Sequence, residues 1–457
     1  MNTGLTALPN GWVWTTLEEI SEIILGQSPP SSTYNTDGEG LPFYQGKLEF
    51  GKLYPTPRKW CTTPKKIAEK GDVFISIRAP VGPTNICPET SAVGRGLAAI
   101  RGLGGIESFF ILYLLRTFAN EIASRGTGTT FDAITGNQLK TFEIPLPPLA
   151  EQRRIIAKLA VLFTQLDAAV DSLKKAKNQL QRYRRSILKA AFEGELRKEW
   201  RDKYSDPWKS MNLNEFITLE SGSRPRGGVR GILEGIPSLG GEHLNDKGNF
   251  RFEKIKYVPE DFFKSLNKGH IYPNDIIVVK DGATTGKTSF VDNNFPHKDA
   301  AVNEHLFIVR VNPKVAFPKF VFYYLFSSKG QQQILSDFRG ATVGGISRNF
   351  PLKVTVPIPS LVEQEQIVSE LERHLSVADA IEATIASELT RSERLQQSIL
   401  KQAFSGKLVP QDPNDEPASV LLEKIREEKE SQQPKRKKKT TKAKTASSAK
   451  QLSLPFD

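Results

Sequence analysis

Residues 145–196 read PLPPLAEQRRIIAKL…SILKAAFEGEL, and residues 357–408 read PIPSLVEQEQIVSEL…SILKQAFSGKL. They align without a gap at an offset of 212, with 18 identities over 52 positions. Duplication over that length marks an internal repeat. The regions ahead of the two stretches match more loosely. Trp12-Val-Trp-Thr-Thr-Leu17…Gly26-Gln-Ser-Pro29 meets Trp208…Leu213…Gly222-Ser-Arg-Pro225 at an offset of 196. Gly71–Arg78 corresponds to Asn274–Lys280, and Gly128-Thr-Thr130 with Ile134 and Asn137 meets Gly340-Ala-Thr342 with Ile346 and Asn349. The order is variable block (1–144), constant block (145–200), variable block (201–356), constant block (357–408) and tail (409–457).

The constant blocks predict long helices. Ile155, Leu159, Leu162, Leu166, Ala169, Leu173, Ala176, Leu180, Tyr183, Ile187 and Ala190 alternate steps of four and three, a coiled-coil seam. Prolines 145, 147 and 148 end the preceding strand, and Ser360-Leu-Val-Glu363 fits a capping box. Forty residues at 1.5 Å rise make a helix of roughly 60 Å. The second seam is rougher, with His374 and Glu388 at positions equivalent to Leu162 and Ala176. Each helix's partner is expected to be the other copy, antiparallel about a pseudo-two-fold axis. The variable blocks carry short β-branched strands such as Asp275–Val279 and Leu306–Val311, with helices near Phe109–Ala119 and Lys319–Phe326. The expected fold class is α+β: two similar mixed α/β domains separated by two long antiparallel coiled-coil helices.

With 38% hydrophobic and 25% charged residues, the 457-residue chain reads as globular. No apolar run is long enough to span a membrane, and MNTGLTALPNGW is not a secretory signal, so a cytoplasmic protein is expected. Cys61 and Cys87 alone rule out a disulfide framework and, with five scattered histidines, argue against a zinc site. Of the net charge of +12, residues 431–450 hold +8 and Asp457 holds −1, leaving about +5 on the body. A mildly basic body with a strongly basic tail suits a polyanionic partner.

Catalytic patterns fail on inspection. Gly282-Ala-Thr-Thr-Gly-Lys-Thr288 has three residues between its glycines where a phosphate loop needs four, and turn-forming residues follow it, so a tight strand-to-strand turn is expected. Methyltransferase, nuclease, hydrolase-elbow and zinc-protease motifs are not found. Candidate DNA contacts are Arg224, Arg226 and Arg230 in a basic Gly-rich loop, and Lys280, Lys287, Arg339, Arg348 and Asn349 beside predicted turns. Their counterparts in the first block are Gln27, Arg78, Arg125, Thr129, Asn137 and Gln138.

Two Trp-started variable domains, each ending in Pro-x-Pro-x-Leu-x-Glu-Gln and a long helix closing on Ser-Ile-Leu-x-x-Ala-Phe-x-Gly-x-Leu, resemble the DNA-specificity subunit of type I restriction–modification systems. The matching residues are Pro145, Pro147, Leu149, Glu151 and Gln152, with Pro357, Pro359, Leu361, Glu363 and Gln364. The resemblance implies two target-recognition domains reading the halves of an asymmetric bipartite site in double-stranded DNA, with the helices fixing the gap. It implies a non-catalytic chain without a cofactor of its own. S-adenosylmethionine, ATP and magnesium belong to partners: modification (methyltransferase) subunits, two of them, and restriction (translocase/nuclease) subunits. Arg153, Arg154, Lys158 and Lys189 are candidate docking residues for these partners. The alternative reading is the specificity subunit of a fused nuclease–methyltransferase. The tail predicts a Pro/Asp linker, a short charged helix near Ala418–Lys429 and a disordered basic arm. Its end, Gln451-Leu452-Ser-Leu454-Pro-Phe456, resembles a peptide that binds the replication sliding clamp.

Overall fold

The computed structural model describes residues 8–126, 133–196, 198, 202, 207–340 and 344–432. The chain divides into two compact units: residues up to Ala169 together with those from Arg391 onward, and Val170–Thr390. Each unit thus holds one variable block and a segment of both long helices, Leu149–Phe192 (44 residues) and Leu361–Ala403 (43 residues).

In the first unit a four-stranded antiparallel sheet runs in the order Ser21–Leu25, Leu97–Gly102, Val73–Ser76, Thr84–Ile86. The strands Val13–Thr16 and Glu143–Leu146 pair separately, and a smaller sheet includes the parallel pair Leu41–Tyr44 and Ser91–Val93. The strand ends at Pro147 and Pro148, which cannot extend the ladder, and the first long helix begins at once. Ile155, Leu159 and Phe163 from its start share one core with Ile399, Leu400 and Ala403 from the end of the second long helix, so the segments are antiparallel. The helix Ser108–Thr117 supplies Phe110 and Tyr113 to that core, with rings 5.5 Å from Phe404 and 5.4 Å from Phe163.

The expected short charged helix spans Ala418–Gln432 and packs onto the first unit. Ala418, Leu421, Leu422 and Ile425, spaced for one helix face, enter the first unit's core. Arg154 holds the linker ahead of it through two bonds to Asp415 (2.6 and 3.1 Å).

The second unit repeats the plan. Its main sheet runs Ile217–Ser221, Leu306–Val311, Ile276–Val279, Thr288–Phe290, beside the pair Lys209–Asn212 and Thr355–Ile358. Leu188, Ala191 and Phe192 from the end of the first helix pack with Ile367, Val368 and Leu371 from the start of the second. Gly282–Lys287 is the tight turn between antiparallel strands that its spacing suggests.

Burial along the first helix follows the seam. Ile155 and Leu159 are buried, and Leu162, Leu166, Leu173, Ala176, Leu180, Ile187 and Ala190 are half-buried, whereas Ala169 and Tyr183 are exposed. A two-helix seam has no third face to close it, so full burial comes only where a domain also covers it. His374, the polar interruption in the second seam, is met by Tyr183, whose hydroxyl lies 2.6 Å from its Nδ1. Among the described residues no helix is long and apolar enough to cross a membrane.

Candidate nucleic-acid interface

Four fastenings, each made once per unit, fix where the loops emerge. The Trp12 indole donates to Glu151 at 2.9 Å, and the Trp208 indole to Glu363 at 3.0 Å. The adjacent Gln152 and Gln364 amides donate to the carbonyls of Pro147 and Pro359, both at 2.9 Å. The duplicated Leu-x-Glu-Gln motif is therefore a clasp between the start of a domain and the start of its helix. Burial raises the Glu151 carboxyl above its ordinary range, against the indole bond and Arg154. The third fastening is a bidentate pair across the sheet, Arg101 to Asp72 (2.9 and 2.9 Å) and Arg310 to Asp275 (2.8 and 2.9 Å). The fourth ties a domain loop to a helix: Lys52 to Asp167 and Lys247 to Asp379, with both aspartates at the 212 offset.

These bonds place equivalent loop residues at equivalent points. Leu97 sits opposite Ser76 as Leu306 sits opposite Val279. The N–H of Ile77 donates to Gly96 O and that of Lys280 to His305 O; Gly26 N–H donates to Leu97 O and Gly222 N–H to Leu306 O. Arg78 bridges Ala133 as Asp281 bridges Gly345. Ser28 and Arg224, Arg78 and Asp281, Arg95 and Glu304, and Gly96 and His305 are thus matched pairs of positions.

In the first unit Ser28, Gln45, Lys47, Arg78 and Arg95 line one cleft. The Arg78 and Arg95 guanidiniums are exposed and have no side-chain partner among the described residues. In the second unit Arg224 Nε donates to Glu304 at 2.8 Å, and His305 Nδ1 lies 2.5 Å from Asp281. Glu242, in the loop corresponding to Gln45–Lys47, bonds Lys256 at 2.7 Å. Burial opposes ionisation of Glu242, but Lys256 outweighs it and holds the carboxyl below its ordinary value.

The other expected contacts scatter. Arg226 and Arg230 are exposed in the loop with Arg224, and Gln27, Asn137 and Asn349 are exposed. Lys280 is half-buried, 5.9 Å from the Phe307 ring centroid. Lys287 is tied to Asp246 at 2.6 Å, Arg339 to Asp337 at 3.1 Å, and Arg348 reaches back to the Leu219 carbonyl at 3.2 Å. Arg125 stacks over Phe142, with its guanidinium carbon 4.5 Å from the ring centroid, and Gln138 serves the capping box of its own short helix. Arg153 and Lys189 make loose ion pairs with Glu107 and Glu193, while Lys158 is exposed. Thr129 and the peptide Gln451–Phe456 lie outside the described residues. Sequence reading missed Arg95, Gln45 and Lys47. The available signal was Gly94-Arg-Gly96 just ahead of a strand, an arginine between glycines that leave room beside it. Among the described residues no group of His, Cys, Asp and Glu is placed to hold a metal.

The sequence model of the type I restriction modification DNA specificity domain matches residues 9–182 and 205–391. The chain is 25% identical over 470 residues to the type I restriction enzyme EcoBI specificity subunit of Escherichia coli, covering 93% of this chain and 94% of that one. Over 460 residues it is 26% identical to the EcoKI specificity subunit of Escherichia coli K12, covering 92% and 96%. A putative MjaX specificity subunit of Methanocaldococcus jannaschii is 40% identical over 193 residues, 42% of this chain and 44% of that one. Among solved structures, a chain from a study of assembly and conformational transition of the type I R-M system aligns with a TM-score of 0.68 at 21% identity, covering 88% of this chain and all of that one. The HsdS subunit of Thermoanaerobacter tengcongensis aligns at 0.54 and 22% identity, covering 89% and all of that chain. These two likenesses bear on the fold.

Proposed function

The chain belongs to the type I restriction modification DNA specificity family, and from that membership we propose that it reads the two unlike halves of a bipartite DNA site and directs its partners to it. It is a non-catalytic, sequence-specific DNA-binding subunit that works with methyltransferase and restriction subunits. The observation that carries the bipartite reading is the repeat: two units share four fastenings while the matched loop positions differ in residue and charge. One frame presenting two loop sets suits two different half-sites. Readers roughly 34–36 Å apart would face the same side of the duplex, one helical turn between half-site centres.

In this reading two modification subunits bring S-adenosylmethionine, restriction subunits bring ATP and magnesium, and this chain binds no cofactor. The complex works in the cytoplasm, where the DNA is. The relatives give no support to the fused nuclease–methyltransferase alternative. Sliding-clamp binding rests on the terminal peptide sequence alone; if replacing Leu454 and Phe456 left capture by purified clamp unchanged, it would fall.

The test is methylation-sensitive long-read sequencing of DNA from cells carrying this chain with an active modification partner, against cells lacking it. An asymmetric two-part motif, methylated on both strands and absent without this chain, is expected. Identical methylation in both cells would overturn the reading.

A further inference from the structure

Matched backbone positions in the two units carry opposite chemistry. Where the first unit has Ser28, Arg78 and Arg95, the second has Arg224, Asp281 and Glu304. The first unit's guanidiniums stand exposed in a cleft beside Gln45 and Lys47, with no counter-ion among the described residues. A cluster of unpaired cations is unfavourable for folding through self-repulsion, so its natural complement is an anionic or acceptor-rich surface. In the second unit the only arginine at these positions is held through Nε by Glu304, which leaves the outer edge of its guanidinium available for a bidentate contact.

We infer that these matched positions are the base-reading positions of both domains, and that their arginines read guanine. Arg78 and Arg95 each present a fork to the O6 and N7 acceptors of a guanine in the half-site of the first unit. Arg224, with Glu304 as its positioning residue, does the same once in the other half-site. The geometry favours guanine because paired acceptors on one major-groove edge match the fork of an arginine. Simple phosphate contact is the competing role, and it differs in outcome: it would weaken binding to all sequences alike and leave the motif unchanged. The inference rests on the DNA-reading function proposed above and adds which residues set the target and which base they demand.

The experiment uses the full chain with its modification partner, and reads the methylated motif and its occupancy for wild type, R78Q, R95Q, R224Q and E304Q. R95Q and R78Q should each relax one guanine position of the same half-site, with discrimination there falling roughly ten- to hundredfold. R224Q should relax a guanine of the other half-site. E304Q should weaken discrimination at that same base by a smaller factor, a change that a merely structural role would not confine to one position. The unaltered half of each motif reports that the variant is folded and assembled. An unchanged motif with uniformly lower occupancy would overturn the inference in favour of phosphate contact, as would relaxation at a base other than guanine. If wild type gave no motif beside an active partner, the underlying function would fall first, and the inference with it.

Discussion

The first and second units repeat each other where geometry is at stake and part where it is not. The indole-to-carboxylate clasp measures 2.9 Å in one and 3.0 Å in the other, and the Arg–Asp fork across the sheet differs by no more than 0.1 Å. At the four matched loop positions no residue is shared: the first unit has Ser28, Arg78, Arg95 and Gly96 where the second has Arg224, Asp281, Glu304 and His305. A buried donor or acceptor that loses its partner costs its full desolvation penalty, so the indole clasp and the Arg–Asp fork tolerate little change. Arg78, Arg95 and Arg224 are exposed at loop ends, where a side chain costs the fold almost nothing to replace. A duplicated chain built this way can change one half of its target while the frame and the other half stay as they were.

The largest departure from the repeat is the C-terminal helix, which covers the first unit. Leu421, Leu422 and Ile425 are each at most 7% exposed, and Ile425 lies against Gly104, where an added Cβ would meet it at 2.5 Å. Ending the chain after Val409 should therefore cost the first unit roughly 5 kcal/mol, counting about 1.5–3 kcal/mol for each large apolar side chain. Hydrogen exchange resolved by peptide should show protection lost around Ser108–Thr117 and kept around Pro318–Phe326. Equal loss in both units would break the idea that they are stabilised separately. Ile425→Ala alone should cost about 2–4 kcal/mol in the same place.

The clasp gives a smaller and pH-dependent contrast. Trp12→Phe leaves the buried Glu151 carboxylate without its donor and should cost about 2 kcal/mol. Trp208→Phe should cost about half as much, because that indole is half-buried and water can replace it. Burial raises the folded-state pKa of Glu151, so its contribution to stability is present in acid and lost as pH rises through that value. Trp12 opposes this loss by stabilising the charged form. The cost of Trp12→Phe, followed by denaturant unfolding, should therefore be greater at neutral than at acid pH. No pH dependence would mean that Glu151 is not charged in the clasp.

Much of this frame was legible in the sequence, because it depends on period and spacing. The 212 offset gave the helices, the three-and-four step gave the half-buried face of Leu149–Phe192, and the prolines gave its start. The task of Glu151 was not legible, since it depends on Trp12, 139 residues away. The same limit applies to the interface. Arg125 and Lys287 look like Arg78 in sequence, yet one stacks on Phe142 and the other is tied to Asp246. A positive charge beside a turn is visible in a sequence; whether a carboxylate or an aromatic face already occupies it is decided by distant segments. The packing of the C-terminal helix was not legible for a different reason. Its charged residues dominate its composition, while its short apolar face matters only when a core is there to receive it.

The smallest expected effects lie in the repeated loop-to-helix ion pairs, and they test how far the two units really match. Lys52 meets the single carboxylate of Asp167, whereas Lys247 meets Asp379 and Glu382 at 2.8 Å each, with Arg184 on the same pair. Both lysines are about half exposed or more, so screening holds each contribution to a few tenths up to about 1 kcal/mol. Lys247→Ala should nevertheless cost more than Lys52→Ala, because its removal leaves two carboxylates sharing one arginine. The Glu382 carboxyl is held below its ordinary value by Lys247 first, and the Asp379 carboxyl, despite burial opposing it, by Lys247 and Arg184. A lowered folded pKa contributes stability that is present above the unfolded value and lost as pH falls through the folded one. The cost of Lys247→Ala should thus be full at neutral pH, fade in acid, and shrink as salt is added. Double-mutant cycles pairing Lys247 with Asp379, and Lys52 with Asp167, measure the two couplings directly. Equal couplings would mean that Glu382 and Arg184 add nothing to a fastening the repeat already supplies. A larger coupling in the second unit would mean that even the shared frame has been tuned separately in each half.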